Sequence, residues 1–253
     1  MWDNPRLLNA AANGLLAIAL AGLVYAGFRL VSESPAFPLR TVRVGGDLRH
    51  VARADVVLAL QGKVSGTFFT VDLESISALF QSIPWVRRAE VRREWPDSLE
   101  VKIEEHVALA RWGQGKEPQL VNSHGELFFG RSEAALPLLS GPAGTEGEVA
   151  RRYLSFRELL ASLALEPRQV ALSSRLAWQL RLSNGLTVQL GHDSDRDNSL
   201  EERLEKFVSA YPQTVGKMAR RAEYVDLRYP NGFAVRVPES RKPESRKTAH
   251  KRV

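Results

Sequence analysis

The feature that most constrains this chain is a stretch without a charged residue, from Leu7 to Phe28. As a helix, such a stretch is about 33 Å long, which matches the hydrocarbon core of a bilayer. We therefore predict a transmembrane helix at residues 7–31, after a short tail of residues 1–6. A cleaved secretory signal is the alternative, but the sequence from Arg29 onward lacks a well-placed pair of small residues for cleavage. A linker containing Pro and Ser follows at residues 32–38.

Basic residues do not decide the orientation of this helix. Arg6 precedes it, whereas Arg29, Arg40 and Arg43 follow it, so the charges do not favour a cytoplasmic N-terminus. A long folded domain can be exported despite its charges. The charge pattern therefore leaves both orientations open.

The net charge of +6 is concentrated at one end of the chain. Residues 239–253 contain six basic and two acidic side chains, and we predict that they form a disordered basic tail. The rest of the chain is close to neutral, which gives little support for nucleic-acid binding. There is no cysteine, so disulfides and thiolate metal sites are excluded and the redox compartment is undetermined.

Strand and helix patterns succeed one another from residue 39 to residue 112. A short strand that ends at Gly45 precedes two helices, at residues 52–60 and 73–80, and Asp72 is placed to cap the second. Two strands then follow, at residues 86–95 and 99–104, with a turn between them. This order predicts a small mixed sheet with both helices on one face.

The carboxylates of this hairpin raise the question of an active site. Apolar and charged residues alternate from residue 99 to 104, and a period of two places the two sets on opposite faces of a strand. Glu100 and Glu104 are therefore expected to point to water, and Arg88, Arg92 and Arg93 offer opposite charges across the hairpin. No apolar enclosure is evident that would raise a carboxyl pKa, so we do not expect acid–base catalysis. Trp95, at the end of the first strand, is expected to face inward.

A second set of patterns covers residues 117–238. We predict a hairpin at residues 120–130, a loop rich in Pro and Gly at 136–147 and a helix at 148–163. Another hairpin turns at Asn184 and Gly185, and Ser199 with Glu202 forms a capping box for the next helix. The last predicted strand covers residues 233–237.

Metal and catalytic motifs are not supported. Asp193, Asp195 and Asp197 alternate as in a calcium loop, but Asn198 replaces the required glycine and Leu204 the required bidentate glutamate. The five histidines are scattered, and no nucleophile or nucleotide-binding signature is complete. We therefore predict no metal site, no cofactor and no enzymatic activity.

Several runs of sequence resemble one known family. Residues 84–112, PWVRRAEVRREWPDSLEVKIEEHVALARW, are similar to the POTRA domain of the bacterial division family FtsQ/DivIB. The runs LAWQLRLSNGLTVQLG, RLEKFVSAYPQTV and EYVDLRYPNGFAVRV resemble the C-terminal β domain of that family, in the same order. The resemblance implies an α+β protein: a single N-terminal transmembrane helix, a POTRA domain (β-α-α-β-β) at residues 39–112 and a mixed β-sheet domain with helices at residues 117–238.

The resemblance also implies a binding surface on the terminal strand of the β domain. The edge of a sheet can accept a strand from another protein. The matching residues of this sequence, with Arg175 added from a neighbouring strand, are Tyr224, Arg228, Tyr229, Asn231, Gly232, Phe233 and Arg175. Tyr229 and Phe233 are expected to be apolar anchors, or alternatively ordinary core residues, and the two arginines are expected to pair with carboxylates of the partner. The outer end departs from the family pattern at Pro230, Arg236 and Val237.

The function implied by the resemblance is that of a scaffold. The expected partners are FtsB and FtsL, and through them the septal synthase FtsW and the transpeptidase FtsI, together with FtsK and other divisome proteins. The expected location is the inner membrane at the division septum, with the N-terminus in the cytoplasm and the bulk of the chain in the periplasm. The POTRA domain is expected to help to recruit the protein to that site.

Other classes of protein are kept as alternatives. An envelope assembly factor with a POTRA domain would need a long C-terminal barrel, and we expect none after residue 238. A membrane-tethered wall enzyme would reveal itself by activity on purified peptidoglycan. A secreted soluble protein would require cleavage of the first segment.

Overall fold

The computed structural model describes residues 5–32, 34, 37–113, 119–193, 198–218, 222–229 and 232–237. The chain divides into two compact units, Met1–His106 and Val107–Val253. The predicted basic tail, residues 239–253, lies outside the described residues.

The first unit begins with helix α1, Pro5–Ser32, whose 28 residues make it about 42 Å long. The segment Asn9–Ser32 is long and apolar enough to cross a membrane, and 0% of its most apolar window is buried inside the protein. This fits a single-pass membrane protein. The helix extends past both ends of the predicted span, because proline is favoured in a first helical turn and Ser32 bonds back to the Phe28 carbonyl at 2.6 Å.

The rest of the first unit is a three-stranded sheet with two helices. Its elements are β1 Thr41–Gly45, α2 Arg53–Leu60, α3 Leu73–Gln81, β2 Val86–Glu94 and β3 Ser98–Glu105. The sheet order is β1-β3-β2, with β1 parallel and β2 antiparallel to β3. The predicted β-α-α-β-β order is confirmed. Asp72 caps α3 as predicted, since its carboxylate accepts from the backbone N–H groups of Glu74 and Ser75.

Strand β3 has the two faces that its alternation predicts. Its apolar residues and the inner face of α3 are buried together: Leu99, Val101, Ile103, Ile76 and Phe80. On the outer face Glu100 pairs with Arg92 at 2.6 Å, as expected. Glu104 pairs with Arg87 at 2.7 Å rather than with Arg88. The pairing of β2 with β3 is irregular between Val86 and Arg88, and this irregularity brings the Arg87 side chain to Glu104.

The expectation that Trp95 faces inward is wrong. Strand β2 ends at Glu94, and Trp95 begins the turn to β3. Its side chain is 78% exposed. Side chains alternate between the two faces of a sheet only within a strand, so the alternation does not predict the direction of a residue in the turn.

The predicted end of the first domain at residue 112 is also wrong. Strand β4, Ala108–Trp112, pairs with two strands of the second unit: antiparallel with β5, Gln119–Asn122, and parallel with β7, Leu138–Ser140. Ala110 and Trp112 are buried in the core of that unit. The alternating pattern of a short strand fits either sheet, and only the pairing assigns it.

The second unit is a nine-stranded mixed sheet with two longer helices. The remaining elements are β6 Leu127–Phe129, α4 Glu146–Leu160, β8 Pro167–Leu172, β9 Ala177–Leu182, β10 Thr187–His192, α5 Leu200–Ala210, β11 Tyr224–Asp226 and β12 Ala234–Arg236. The strand order is β12-β11-β10-β9-β8-β7-β4-β5-β6. Phe156 of α4 and Phe207 of α5 are fully buried in the core of this unit, together with Trp178 of β9.

The local predictions for this unit hold at several points. Strands β9 and β10 form the predicted hairpin, in which Asn184 Oδ1 accepts from Leu186 N at 3.0 Å and Gly185 has φ +89°. Ser199 Oγ accepts from Glu202 N at 3.3 Å and caps α5 as predicted, but the Glu202 carboxylate accepts from Asn198 N rather than from Ser199 N, so the predicted capping box is only half formed. The last strand, β12, is shorter than the predicted range of 233–237.

Candidate partner-binding edge

Strand β12 lies at one end of the nine-stranded sheet. Among the described residues its partner strand is β11, with which it pairs antiparallel: Tyr224 opposes Arg236, and Asp226 opposes Ala234. The Arg236 carbonyl accepts from Glu223 N at 3.1 Å, so Arg236 directs its backbone groups to β11. Alternate residues of a strand direct theirs to opposite sides, which places the N–H and C=O of Val235 on the open side.

An ion pair holds the chain where it leaves β11. Arg228 Nη2 donates to Asp226 Oδ2 at 2.6 Å, and Arg228 Nε donates to Asp226 Oδ1 at 2.9 Å. The hydrogen bond from Arg228 lowers the pKa of Asp226 below its usual range, and the same bond raises the pKa of Arg228. The resemblance implied that Arg228 pairs with a partner carboxylate, whereas in the isolated chain its guanidinium is bound to Asp226.

Gly191 of β10 makes room for this arginine. Its φ is +83°, and a Cβ added there would lie 2.8 Å from Arg228 Cγ. Any side chain at this position would therefore press on the methylene groups of Arg228. Glycine allows Arg228 to lie against β10 while 58% of its side chain stays exposed.

Tyr229 and Phe233 occupy different environments, which distinguishes the two roles left open by the sequence. Tyr229 is 56% exposed. Phe233 is half-buried against the core of the second unit, and its ring contacts that of Phe207 edge-on, with centroids 5.8 Å apart. Phe233 is therefore partly a core residue, whereas Tyr229 is available at the surface.

A shallow groove of about 340 Å³ lies beside this edge. Tyr229, Gly232 and Phe233 line it on one side, and α5 lines it on the other with Arg203 and Lys206. Arg203 also donates to the Leu190 and His192 carbonyls, at 2.5 and 2.8 Å, and so ties α5 to β10. The groove combines an apolar wall with a basic wall.

The remaining predicted residues lie around the same end of the sheet. Tyr224 begins β11, and the Arg236 guanidinium lies over its ring at 5.4 Å. Arg175 is exposed in the turn between β8 and β9. Because β9 and β10 are antiparallel and β10 and β11 are parallel, this turn lies at the end of the sheet at which β11 ends. Asn231 lies outside the described residues.

Two residues that shape this edge were not predicted from the sequence. Asp226 was not singled out, although its position two residues before Arg228 places opposite charges on one face of an extended chain. Arg236 was noted only as a departure from the family pattern, yet it covers Tyr224. The contact between Arg236 and Tyr224 joins two neighbouring strands, so the local sequence around either residue does not predict it.

The aspartates that alternate as in a calcium loop are the other candidate site, and Asp193 among them is bonded to other residues of the chain. Asp193 forms an ion pair with Arg152 of α4, and its other oxygen accepts from Leu200 N at 3.4 Å. Asp195 and Asp197 lie outside the described residues. Within the described part of the chain, no group of three or more His, Cys, Asp or Glu side chains is placed to hold a metal ion.

Comparisons with known proteins agree with both units. The FtsQ-type POTRA domain matches residues 37–106. The C-terminal domain of cell division protein FtsQ/DivIB matches residues 110–228.

Similarity also extends over nearly the whole chain. Cell division protein FtsQ of Burkholderia pseudomallei is 42% identical over 240 residues, which cover 94% of this chain and 94% of that protein. The protein of the same name from Nitrosospira multiformis is 39% identical, with 93% and 99% covered, and that from Bordetella pertussis is 35% identical, with both chains fully covered. The chain therefore belongs to the FtsQ/DivIB family of cell division proteins.

Proposed function

We propose that this chain is a scaffold of the bacterial divisome, held in the inner membrane by α1. Its N-terminus lies in the cytoplasm, whereas the part of the first unit that follows α1 and the whole second unit lie in the periplasm, concentrated at the division septum. Membership of a cell division family supports the role in division. The apolar helix Asn9–Ser32 supports the anchor.

The observation that carries the proposal is the edge position of β12 in the sheet. A strand from FtsB or FtsL adds to this edge and satisfies the backbone N–H and C=O of Val235. Tyr229 supplies apolar contact area next to the added strand, since it is exposed. Lys206 in the neighbouring groove and Arg175 attract acidic side chains of the same partner.

Binding alone is sufficient for this function, and we propose no catalytic step. The scaffold brings FtsB and FtsL to the septum, where they control the synthase FtsW and the transpeptidase FtsI. FtsK and other divisome proteins are further partners. Arg228 contributes by holding the chain in place where it leaves β11, through its bond to Asp226.

Depletion of the protein in its native cell tests the division role. We expect filaments with regularly spaced nucleoids and no septa, and restoration of septa by the wild-type chain. Cells that continue to divide normally during depletion would contradict the role. A fluorescent fusion that stays evenly distributed around the envelope would contradict the septal location.

A binding assay tests the surface independently of the cell. The full chain in detergent is immobilised, and capture of the purified periplasmic segments of FtsB and FtsL is measured. We expect capture by the wild-type chain and by an Arg131→Ala variant, which removes an exposed cation that lies in no strand or helix. Capture that is unchanged by both Tyr229→Ala and Val235→Pro would contradict the assigned edge.

A further inference from the structure

Two large aromatic side chains of the first unit are exposed. Trp95, in the turn between β2 and β3, is 78% exposed, and Phe69, in the loop before α3, is 44% exposed. An exposed tryptophan and phenylalanine on one small domain indicate a surface that something else covers. Their positions relative to α1 indicate what covers them.

The loop that carries Phe69 is bonded to the end of α1. The Thr67 hydroxyl donates to the Ser32 carbonyl at 2.5 Å. Phe68 N donates to the Phe37 carbonyl at 3.0 Å, and the rings of Phe37 and Phe69 meet edge-on with centroids 5.2 Å apart. Residues 32–38 were predicted to be a linker, but Ser32, Phe37 and Pro38 are in contact with the loop that carries Phe69.

The turn that carries Trp95 lies at the same end of the first unit. Arg93, two residues before Trp95, donates to the carbonyls of Phe68 and Val71 at 2.7 and 2.8 Å. The Asp97 carbonyl accepts from Arg40 N at 2.9 Å, just before β1 begins. Both aromatic side chains therefore belong to the end of the domain from which α1 departs.

We propose that this end of the first unit docks on the membrane surface, with Trp95 and Phe69 at the level of the lipid headgroups. Tryptophan favours this layer because its ring is apolar and its N–H remains hydrated. The exposed Arg40 faces the lipid phosphates from the same end. Lipid is favoured over a protein partner because the apolar span ends at Ser32, the residue to which Thr67 is bonded.

This inference rests on the proposed anchoring by α1 and adds that the first unit is held against the bilayer. A domain on a free tether would sample many heights above the membrane. A domain fixed through Thr67, Phe69 and Trp95 keeps one orientation. Docking therefore also fixes the direction in which the other end of the first unit, the end away from the membrane, points.

The absence of cysteine from the chain permits single labelled sites for the test. The full chain is reconstituted in nanodiscs of phosphatidylethanolamine and phosphatidylglycerol, with a spin label at one introduced cysteine. Ala21→Cys places the label within α1, Ser65→Cys places it in the loop near Thr67, and Asp47→Cys places it beyond the far end of β1. Relaxation by oxygen, which concentrates in lipid, is compared with relaxation by a water-soluble nickel chelate.

We expect the labels at positions 21 and 65 to respond mainly to oxygen and the label at position 47 to respond mainly to nickel. In a Phe69→Ser, Trp95→Ser double variant the label at 65 should change to the nickel response, while the label at 21 keeps the oxygen response. Phe69 also contacts the rings of Phe37 and Phe68, so a Trp95→Ser single variant, whose substituted side chain is largely exposed and which should keep the wild-type melting temperature, is measured beside the double variant.

Several outcomes overturn the inference. A nickel response at 65 in the otherwise wild-type chain, with an oxygen response at 21, excludes docking but leaves the anchor intact. A nickel response at both 65 and 21 contradicts the anchor itself. A label at 65 that becomes shielded only when FtsB and FtsL are added indicates a protein contact instead, and an oxygen response that survives the double substitution removes the role of the two aromatic residues.

Discussion

The carboxylate of Asp226 and the guanidinium of Arg228 form a two-point ion pair at the end of β11, with the shortest contact at 2.6 Å. Asp226 is almost fully buried, whereas more than half of the Arg228 side chain is exposed. The pair therefore ties an exposed residue of the candidate edge to a fixed point in the sheet. Its strength should be measurable through its dependence on pH.

Asp226→Asn should destabilise the chain at neutral pH by about 1 kcal/mol, since it removes a charged hydrogen-bond acceptor whose partner, Arg228, is more than half exposed to water. The folded-state pKa of Asp226 is lowered from 3.8, so the contribution is complete above that value and is lost as the pH falls through the lowered pKa. Urea unfolding of wild type and variant over a descending pH series measures the difference. The free energies of unfolding of wild type and Asp226→Asn should converge as the pH falls. Glu223→Gln, which removes an exposed carboxylate just before β11, is the control, and its difference from wild type should not change in this way with pH.

Tyr229→Ala and Phe233→Ala should have different effects on stability. Tyr229 is exposed, so its removal should change the free energy of unfolding by less than about 0.5 kcal/mol and still weaken the capture of FtsB and FtsL. Phe233→Ala removes the contact with Phe207. It should lower the free energy of unfolding by about 1–3 kcal/mol and also weaken capture. Thermal unfolding and the capture assay, run on both variants, separate the two effects. Equal losses of stability would contradict the different environments of these residues.

Val235→Pro should abolish strand addition. Proline removes the N–H that Val235 directs to the open side of β12, and an edge strand tolerates it because the bonds to β11 come from Arg236 and Ala234. Val235→Ala is the matched control, because it removes side-chain volume and keeps the N–H. We expect capture of the FtsB and FtsL segments by the alanine variant and none by the proline variant. Equal capture by the two variants would show that the partner does not bind as an added strand.

Glu105→Gln should loosen the first unit. The Glu105 carboxylate accepts from the backbone N–H groups of Arg49, His50 and Val51. Burial raises the pKa of Glu105. The three backbone bonds and the bond to the His50 ring lower it by more than burial raises it, so the pKa lies below the usual value. The charge therefore stabilises the fold above the usual carboxyl pKa, and we expect its loss to cost about 1–3 kcal/mol near neutral pH.

Amide hydrogen exchange at residues 49–51 measures this loss directly. Exchange there should accelerate in the Glu105→Gln variant. Glu104→Gln, which removes the exposed carboxylate that pairs with Arg87, should change the stability by about 0–1 kcal/mol and leave the exchange unchanged. Unchanged exchange in both variants would show that Glu105 does not hold this loop.

Predictions from the sequence succeeded where neighbours along the chain determine the structure. The cap at Asp72, the alternation of β3 and the turn at Asn184 and Gly185 depend on residues within a few positions of one another. The resemblance to a family supplied the order of the domains. It implied the terminal strand for Tyr224 and Arg228, whereas Tyr224 begins β11, the neighbour of the terminal strand β12, and Arg228 follows the end of β11.

Predictions failed where distant residues compete for the same segment. Strand β4 was assigned to the wrong domain because its parallel partner β7 comes 25 or more residues later in the sequence, after β5 and β6, and the pattern of β4 itself does not indicate this pairing. Trp95 was expected inside because the end of β2 was not recognised. Tyr229 and Phe233 had the same two candidate roles until the contact with Phe207 separated them.

The sequence by itself determined that this chain carries an uncharged segment of bilayer length followed by two units of strands and helices, since hydrophobic length and periodicity are properties of neighbouring residues. Only the tertiary structure decided that β12 lies at the edge of its sheet, that Asp226 holds Arg228, and that Phe69 and Trp95 lie where α1 ends. These relationships join residues that are brought together by packing and by sheet register, and register is set by the pairing of whole strands rather than by any local pattern.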